Sequence, residues 1–165
     1  MSVKSRNDPS RVHRYAVNCS WTGSTAEGYD AYSRAHTAGA PPATVRLDLS
    51  SDPAFRGDPE RLNPEQLLVL AAASCQLLSF LTVAARARID VVDYRDDAEA
   101  EMPEADQPVR VTRIVLRPHI TVRGDATEAR LTHLVEVAHR ECYIANSVTT
   151  DIVIEPAFAR VATGG

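Results

Sequence analysis

One stretch limits what this chain can be. In "NPEQLLVLAAASCQLLSFLTVAARAR", residues 63–88, no charged residue occurs between Glu65 and Arg86. The uncharged run Leu67–Ala85 is about the length that crosses a bilayer, roughly 20 residues. It opens as a helix does. Asn63 is the predicted N-cap, and Pro64 follows at the first helical position, where its missing N–H costs nothing. Glu65 favours the positive helix start, and Gln66 completes a capping box. A helix is predicted from Pro64 to about Arg88. A membrane span is not the reading. The run is Ala-rich and carries Ser74, Gln76, Ser79 and Thr82, it is the only such segment, and amphipathic elements surround it. A helix apolar on nearly all sides must be covered by protein on nearly all sides. One small domain has few layers for that, so a second copy of the chain is the natural cover.

The rest of the chain supplies sheet. "HRYAVNCSW" alternates with Tyr15, Val17, Cys19 and Trp21 on one face, a predicted strand. "YDAYSRAHTA" and "ATVRLDLS" read as a second and a third, with "SDPAFRGDPERL" a loop before the helix. "IDVVDYRDDAEAEM" and "VRVTRIVLRPHITV" read as a hairpin around the loop "PEADQP". Leu131, Leu134, Val135, Ala138 and Cys142 recur at helical spacing, predicting a second helix over about 127–144, and "SVTTDIVIEP" is a last strand. Strands and helices do not alternate regularly, which predicts an α+β fold with antiparallel sheet. Residues 1–11 read as a loose tail.

Composition narrows the function classes. The chain has 165 residues, enough for one domain with a core, and a formal net charge of -4 with no basic block. Nucleic acid and membrane surfaces are therefore not the expected partners. "MSVKSRNDPSRVHR" has no apolar signal-peptide core, so a cytoplasmic protein is expected. Three cysteines at long spacings do not make a disulfide scaffold. Cys19 reads as structural. Cys75 and Cys142 each lie on the packing face of a helix, where a free cysteine is often an inert small hydrophobe. Two packed helices can also bring two such thiols within disulfide reach, Cα atoms about 4.4–6.8 Å apart. A reactive thiol must ionise more readily than a free one, which does so near about 8.5. Cys75 lies too far into its helix to use the helix start, so it needs a cation, with Arg34 and Arg56 the candidates. Glu65 can orient an arginine through a bidentate pair. Glu65 and Cys75 are roughly 15 Å apart along a straight helix, so they share one site only through a long arginine, a bent helix or a partner chain. His139 and Cys142 are spaced like two metal ligands, but nothing nearby completes a set of four, and no metal or cofactor is expected.

These residues resemble a known family. "FRGDPERLNPEQLLVLAAASC", followed later by "AHRECYIANSV", is similar to the osmotically inducible protein C and organic hydroperoxide resistance (OsmC/Ohr) family. "YSRAH" and "SDPAFRGD" are closer to its OsmC-like subgroup. The resemblance covers about residues 12–157 as one domain, leaving 158–165 as a C-terminal tail. It implies an intertwined homodimer with antiparallel sheets wrapped around two long central helices. It also implies a cytoplasmic thiol peroxidase that acts on organic hydroperoxides and is recycled by a dithiol reductant, a lipoyl protein. By position, Cys75 matches the peroxidatic cysteine, Cys142 the resolving cysteine, Glu65 the carboxylate that holds the catalytic arginine, and Arg34 that arginine, with Arg56 the runner-up. Two positions depart from relatives: Gln76 follows the first cysteine where others have His, and Tyr143 follows the second where others have Pro. The rival expectations are a non-enzymatic redox sensor with the same cysteines and a small-molecule binding dimer with inert thiols.

Overall fold

The structure, a computed structural model, describes residues 12–162. The expected tail over 1–11 lies outside the described residues. The chain divides after Pro64 into two compact units.

In the first unit, β1 (Asn18–Ser20), β2 (His36–Gly39) and β3 (Arg46–Leu49) form an antiparallel sheet in that order. The strands are shorter than their patterns predict. Tyr15 and Val17 continue the alternation of β1 but are exposed. The predicted second strand starts only at His36, because the preceding residues fold back on themselves. Arg34 donates from Nη1 to the Tyr32 carbonyl at 2.5 Å and from Nη2 to the Tyr29 carbonyl at 2.6 Å. Cys19, expected to be structural, is exposed. The loop after β3 holds a single 3-10 turn, Pro53–Phe55, capped by the Asp52 side chain. Gly57 follows. A Cβ there would lie 1.6 Å from the Ser51 carbonyl oxygen, so only glycine permits this close approach.

In the second unit, α1 (Pro64–Arg86) ends two residues before the predicted Arg88. The Ile89 N–H bonds the Ala84 carbonyl and the Arg88 N–H bonds that of Ala85, with Arg88 left-handed at φ 59. These two bonds close the helix in a Schellman motif. Ala72, Gln76, Phe80, Val83 and Ala84 form its buried stripe. The second helix, α2 (Glu128–Glu141), is capped by Thr127, whose hydroxyl accepts from the Arg130 N–H at 3.3 Å. Its Leu131, Leu134, Val135 and Ala138 join Phe80, Val83, Ala84, Ile120 and Val122 in the main core. Thus α1, long and apolar enough by length and composition to cross a membrane, gives one face to this core.

Two small sheets flank these helices. One is β4 (Asp90–Asp96), β7 (Pro118–Arg123) and β9 (Ala157–Val161); the other is β5 (Glu99–Glu101), β6 (Arg113–Leu116) and β8 (Asp151–Ile154). The predicted hairpin is present, but each arm is broken, so β4 pairs β7 and β5 pairs β6. Arg117 sits at the break. Its N–H donates to Asp96 Oδ1 at 2.8 Å, and its guanidinium bonds Glu155 at 3.1 Å and Glu99 at 2.5 Å. The expectation of purely antiparallel sheet is corrected: β6–β8 and β7–β9 are parallel. The connection through α2 is long enough for the crossover that parallel pairing requires. The expected C-terminal tail is also corrected, because residues 157–161 form β9, fixed to the second unit. Arg160 Nε donates to the Ala126 carbonyl at 2.8 Å, and the Gly124 N–H to that of Val161 at 3.1 Å.

Candidate functional site

Residues Cys75 and Cys142 come together although far apart in sequence. Cys75 lies mid-way along α1 and is half-buried; Cys142 caps the end of α2 and is buried at 2% exposure. The register between the two helices is fixed by Gln76, itself 1% exposed, whose Nε2 donates to the Val135 carbonyl at 3.3 Å. Among the described residues the Gln76 Oε1 atom has no hydrogen-bond partner. Beyond Cys142 the chain turns sharply. Cys75 Sγ accepts from the Ile144 N–H, and Cys142 Sγ from the Ala145 N–H, each at 3.5 Å.

The environment sets the protonation of the second sulfur. Burial, and then a hydrogen bond with Cys75, push the Cys142 thiol up to about 11. At neutral pH it is a thiol and not a thiolate, so it is a poor first nucleophile. Behind it, the Tyr94 phenol is pushed up as well, by burial, then by Asp96 and Cys142. Its ring packs 6.0 Å from that of Phe80.

An open cleft of about 690 Å³ gives access to Cys75. Ala71, Leu78 and Ile144 supply apolar wall. Arg86 and Glu141, paired at 3.6 Å, lie at its edge. A small molecule with an alkyl body and a polar reacting end suits such a cleft.

The other expected residues stand as follows. Glu65, in the first turn of α1, is half-buried and, among the described residues of its own unit, has no ion pair. Arg34 belongs to the first unit and is held rigidly there. Besides its two carbonyl bonds, its guanidinium lies 3.8 Å from the Tyr32 ring centroid and 4.6 Å from that of Tyr29. Trp21 supports this stack, edge-on to Tyr32 at 6.1 Å, with its Nε1 donating to the Ser33 carbonyl at 2.7 Å. Trp21, Tyr32, Arg34, His36 and Ser50 line a cavity of about 380 Å³ within that unit. Arg56 is instead exposed and paired with Asp30 at 2.8 Å.

Sequence reasoning missed the two backbone N–H groups on the sulfurs. Backbone donors carry no residue signature; only the break of helical spacing after Cys142 hints that amides are freed there.

Comparisons with known proteins agree with the fold. The profile of the OsmC-like protein family matches residues 57–157. An OsmC-like protein of unknown function from Vibrio cholerae is 30% identical and superimposes with a TM-score of 0.80, over 88% of this chain and 100% of that one. An organic hydroperoxide resistance protein OsmC from Legionella pneumophila is 18% identical, TM-score 0.67, over 91% and 99% of the two chains. One from Elizabethkingia anophelis, also an organic hydroperoxide resistance protein, is 15% identical, TM-score 0.66, over 92% and 99%. No protein of curated function matches significantly. With more than half of its length matched by the family profile, and with a relative of this identity fully covered, the chain belongs to the OsmC-like protein family.

Proposed function

We propose that this protein is a thiol-dependent peroxidase that reduces organic hydroperoxides to alcohols. The observation that carries the reading is the contact of two free thiols, one at an open cleft and one buried behind it. The names of the Legionella and Elizabethkingia relatives point to the same substrate class.

The Cys75 thiolate attacks the distal peroxide oxygen. The O–O bond breaks, the sulfur becomes a sulfenic acid, and the alkoxide leaves as an alcohol after taking a proton. The Cys142 thiol then condenses with the sulfenic acid, forming the S–S bond and releasing water. A dithiol, of the lipoyl-protein type, reduces the disulfide and is itself oxidised to a cyclic disulfide. Arg34 stabilises the thiolate and the charge growing on the leaving oxygen, and Glu65 orients it. The stacked, doubly bonded Arg34 is the better supported of the two arginines, since Arg56 already has a carboxylate partner.

The outward face of α1 supports a homodimer. Leu70 and Leu78 are 60% and 61% exposed within one chain, with Leu81 beside them. A soluble cytoplasmic dimer that buries this face explains why the helix has no charge between Glu65 and Arg86.

The test is turnover. Cumene hydroperoxide should be consumed catalytically with dihydrolipoamide, and Cys75→Ser should abolish it. Stoichiometric thiol loss with no turnover under any dithiol would instead make the protein a redox sensor. No thiol loss at all would favour inert cysteines.

A further inference from the structure

The turn after α2 directs two backbone donors at sulfur. It is held by its neighbours: the Asn146 N–H bonds the Cys142 carbonyl at 3.1 Å, and the Ser147 N–H bonds that of Ile144 at 3.0 Å. Between these fixed points the Ile144 N–H faces Cys75 Sγ at 3.5 Å and the Ala145 N–H faces Cys142 Sγ at 3.5 Å. A neutral thiol is a weak acceptor, whereas an anionic acceptor makes a bond about twice as strong as a neutral one. A fixed N–H facing Cys75 Sγ therefore bonds an anionic sulfur more strongly than a neutral one. Cys75 cannot obtain this from its own helix start, which is roughly 15 Å away.

We propose that the Ile144 backbone N–H is a catalytic group that holds Cys75 in its attacking thiolate form. It deepens the peroxidase reading and rests on Cys75 being the attacking sulfur. Because Cys142 lies on the same turn, the segment that stabilises the first sulfur also presents the second. Closing the disulfide removes the negative charge that the N–H serves, so reduction of the bridge restores the donor and the nucleophile together. The chemistry of the substrate does not enter this step; the donor acts on any electrophile that Cys75 meets.

The experiment has two arms. In the first, the amide proton of Ile144 is followed by NMR against pH in the reduced protein, with Cys75 ionisation tracked by its rate of alkylation with iodoacetamide. The Ile144 proton should move downfield as Cys75 ionises and stay in place in Cys75→Ser. An Ile144 proton that stays in place while Cys75 ionises, or that moves equally in Cys75→Ser, overturns the proposal. In the second, Ile144→Pro deletes the N–H and Ile144→Ala keeps it. Ile144 has φ -68, close to the roughly -65° that proline imposes. Alkylation of Cys75 at neutral pH should slow about tenfold in Ile144→Pro and by less than about twofold in Ile144→Ala, as expected for loss of one hydrogen bond to a charge. Equal rates in the two variants overturn the proposal. Should Ile144→Pro fail to fold, the NMR arm decides on the unaltered chain. If both arms succeed and cumene hydroperoxide is still not reduced, the donor role stands and the peroxidase reading falls.

Discussion

At the scale of single residues, the two sulfurs differ because their surroundings differ. Cys142 is raised to about 11, first by burial and then by its bond with Cys75. Alkylation of reduced protein should therefore label Cys142 only as the pH approaches that value, which mass spectrometry of iodoacetamide adducts checks. The same shift makes a stability prediction. A group raised in the folded state contributes stability that is complete below its unfolded value and is lost as pH rises through the folded one. The melting temperature of the reduced protein should fall between about pH 9 and 11, and fall less in Cys142→Ser. Tyr94 is raised too, so the difference between the two proteins carries the test. As the proposed thiolate-stabilising cation, Arg34 should on replacement by alanine slow the reaction of Cys75 with peroxide about tenfold or more at neutral pH. Arg56→Ala should change it little, as Arg56 is exposed and paired; stopped-flow rates for both variants decide. Both cysteines of the site were legible in the sequence because each continues the apolar spacing of a predicted helix. The exposure of Cys19 was not, because alternation marks a strand face without saying whether anything covers it.

At the scale of elements, the helices were legible and the sheet was read only in part. Pro64 and the long uncharged run fix α1, and Thr127 with its Leu131–Leu134–Val135–Ala138 stripe fixes α2. The end of α1 was overestimated because Arg88 adopts a left-handed conformation that its side chain does not announce. That conformation costs a non-glycine residue roughly 1–2 kcal/mol. Arg88→Gly should thus raise unfolding stability, by about 0.5–1 kcal/mol after the backbone entropy of glycine is counted, measured by denaturant titration. Phe80, fully buried between the helices and the sheet, should cost about 3–5 kcal/mol when replaced by alanine. The parallel pairs β6–β8 and β7–β9 were not legible, since pairing direction depends on the path of the chain through α2 and leaves no mark on local alternation. The strand β9 was missed because "AFARV" is short and follows Pro156.

At the scale of the molecule, the outward leucines of α1 support the proposed second copy. A charge placed on this face, as in Leu78→Glu, should shift the protein from dimer to monomer in sedimentation velocity at micromolar concentration. A wild-type chain that sediments as a stable monomer contradicts the dimer. What ties all three scales together is the cysteine pair: a helix register set by Gln76, a turn after α2, and two thiols in contact. The most direct measurement is peptide mapping of protein treated with one equivalent of cumene hydroperoxide. The expected result is a single disulfide joining Cys75 and Cys142 within one chain, with Cys19 reduced and about one bridge formed per peroxide, as the sulfenic acid route requires. A bridge that includes Cys19, or stable overoxidation of Cys75 with Cys142 left as a thiol, would contradict it.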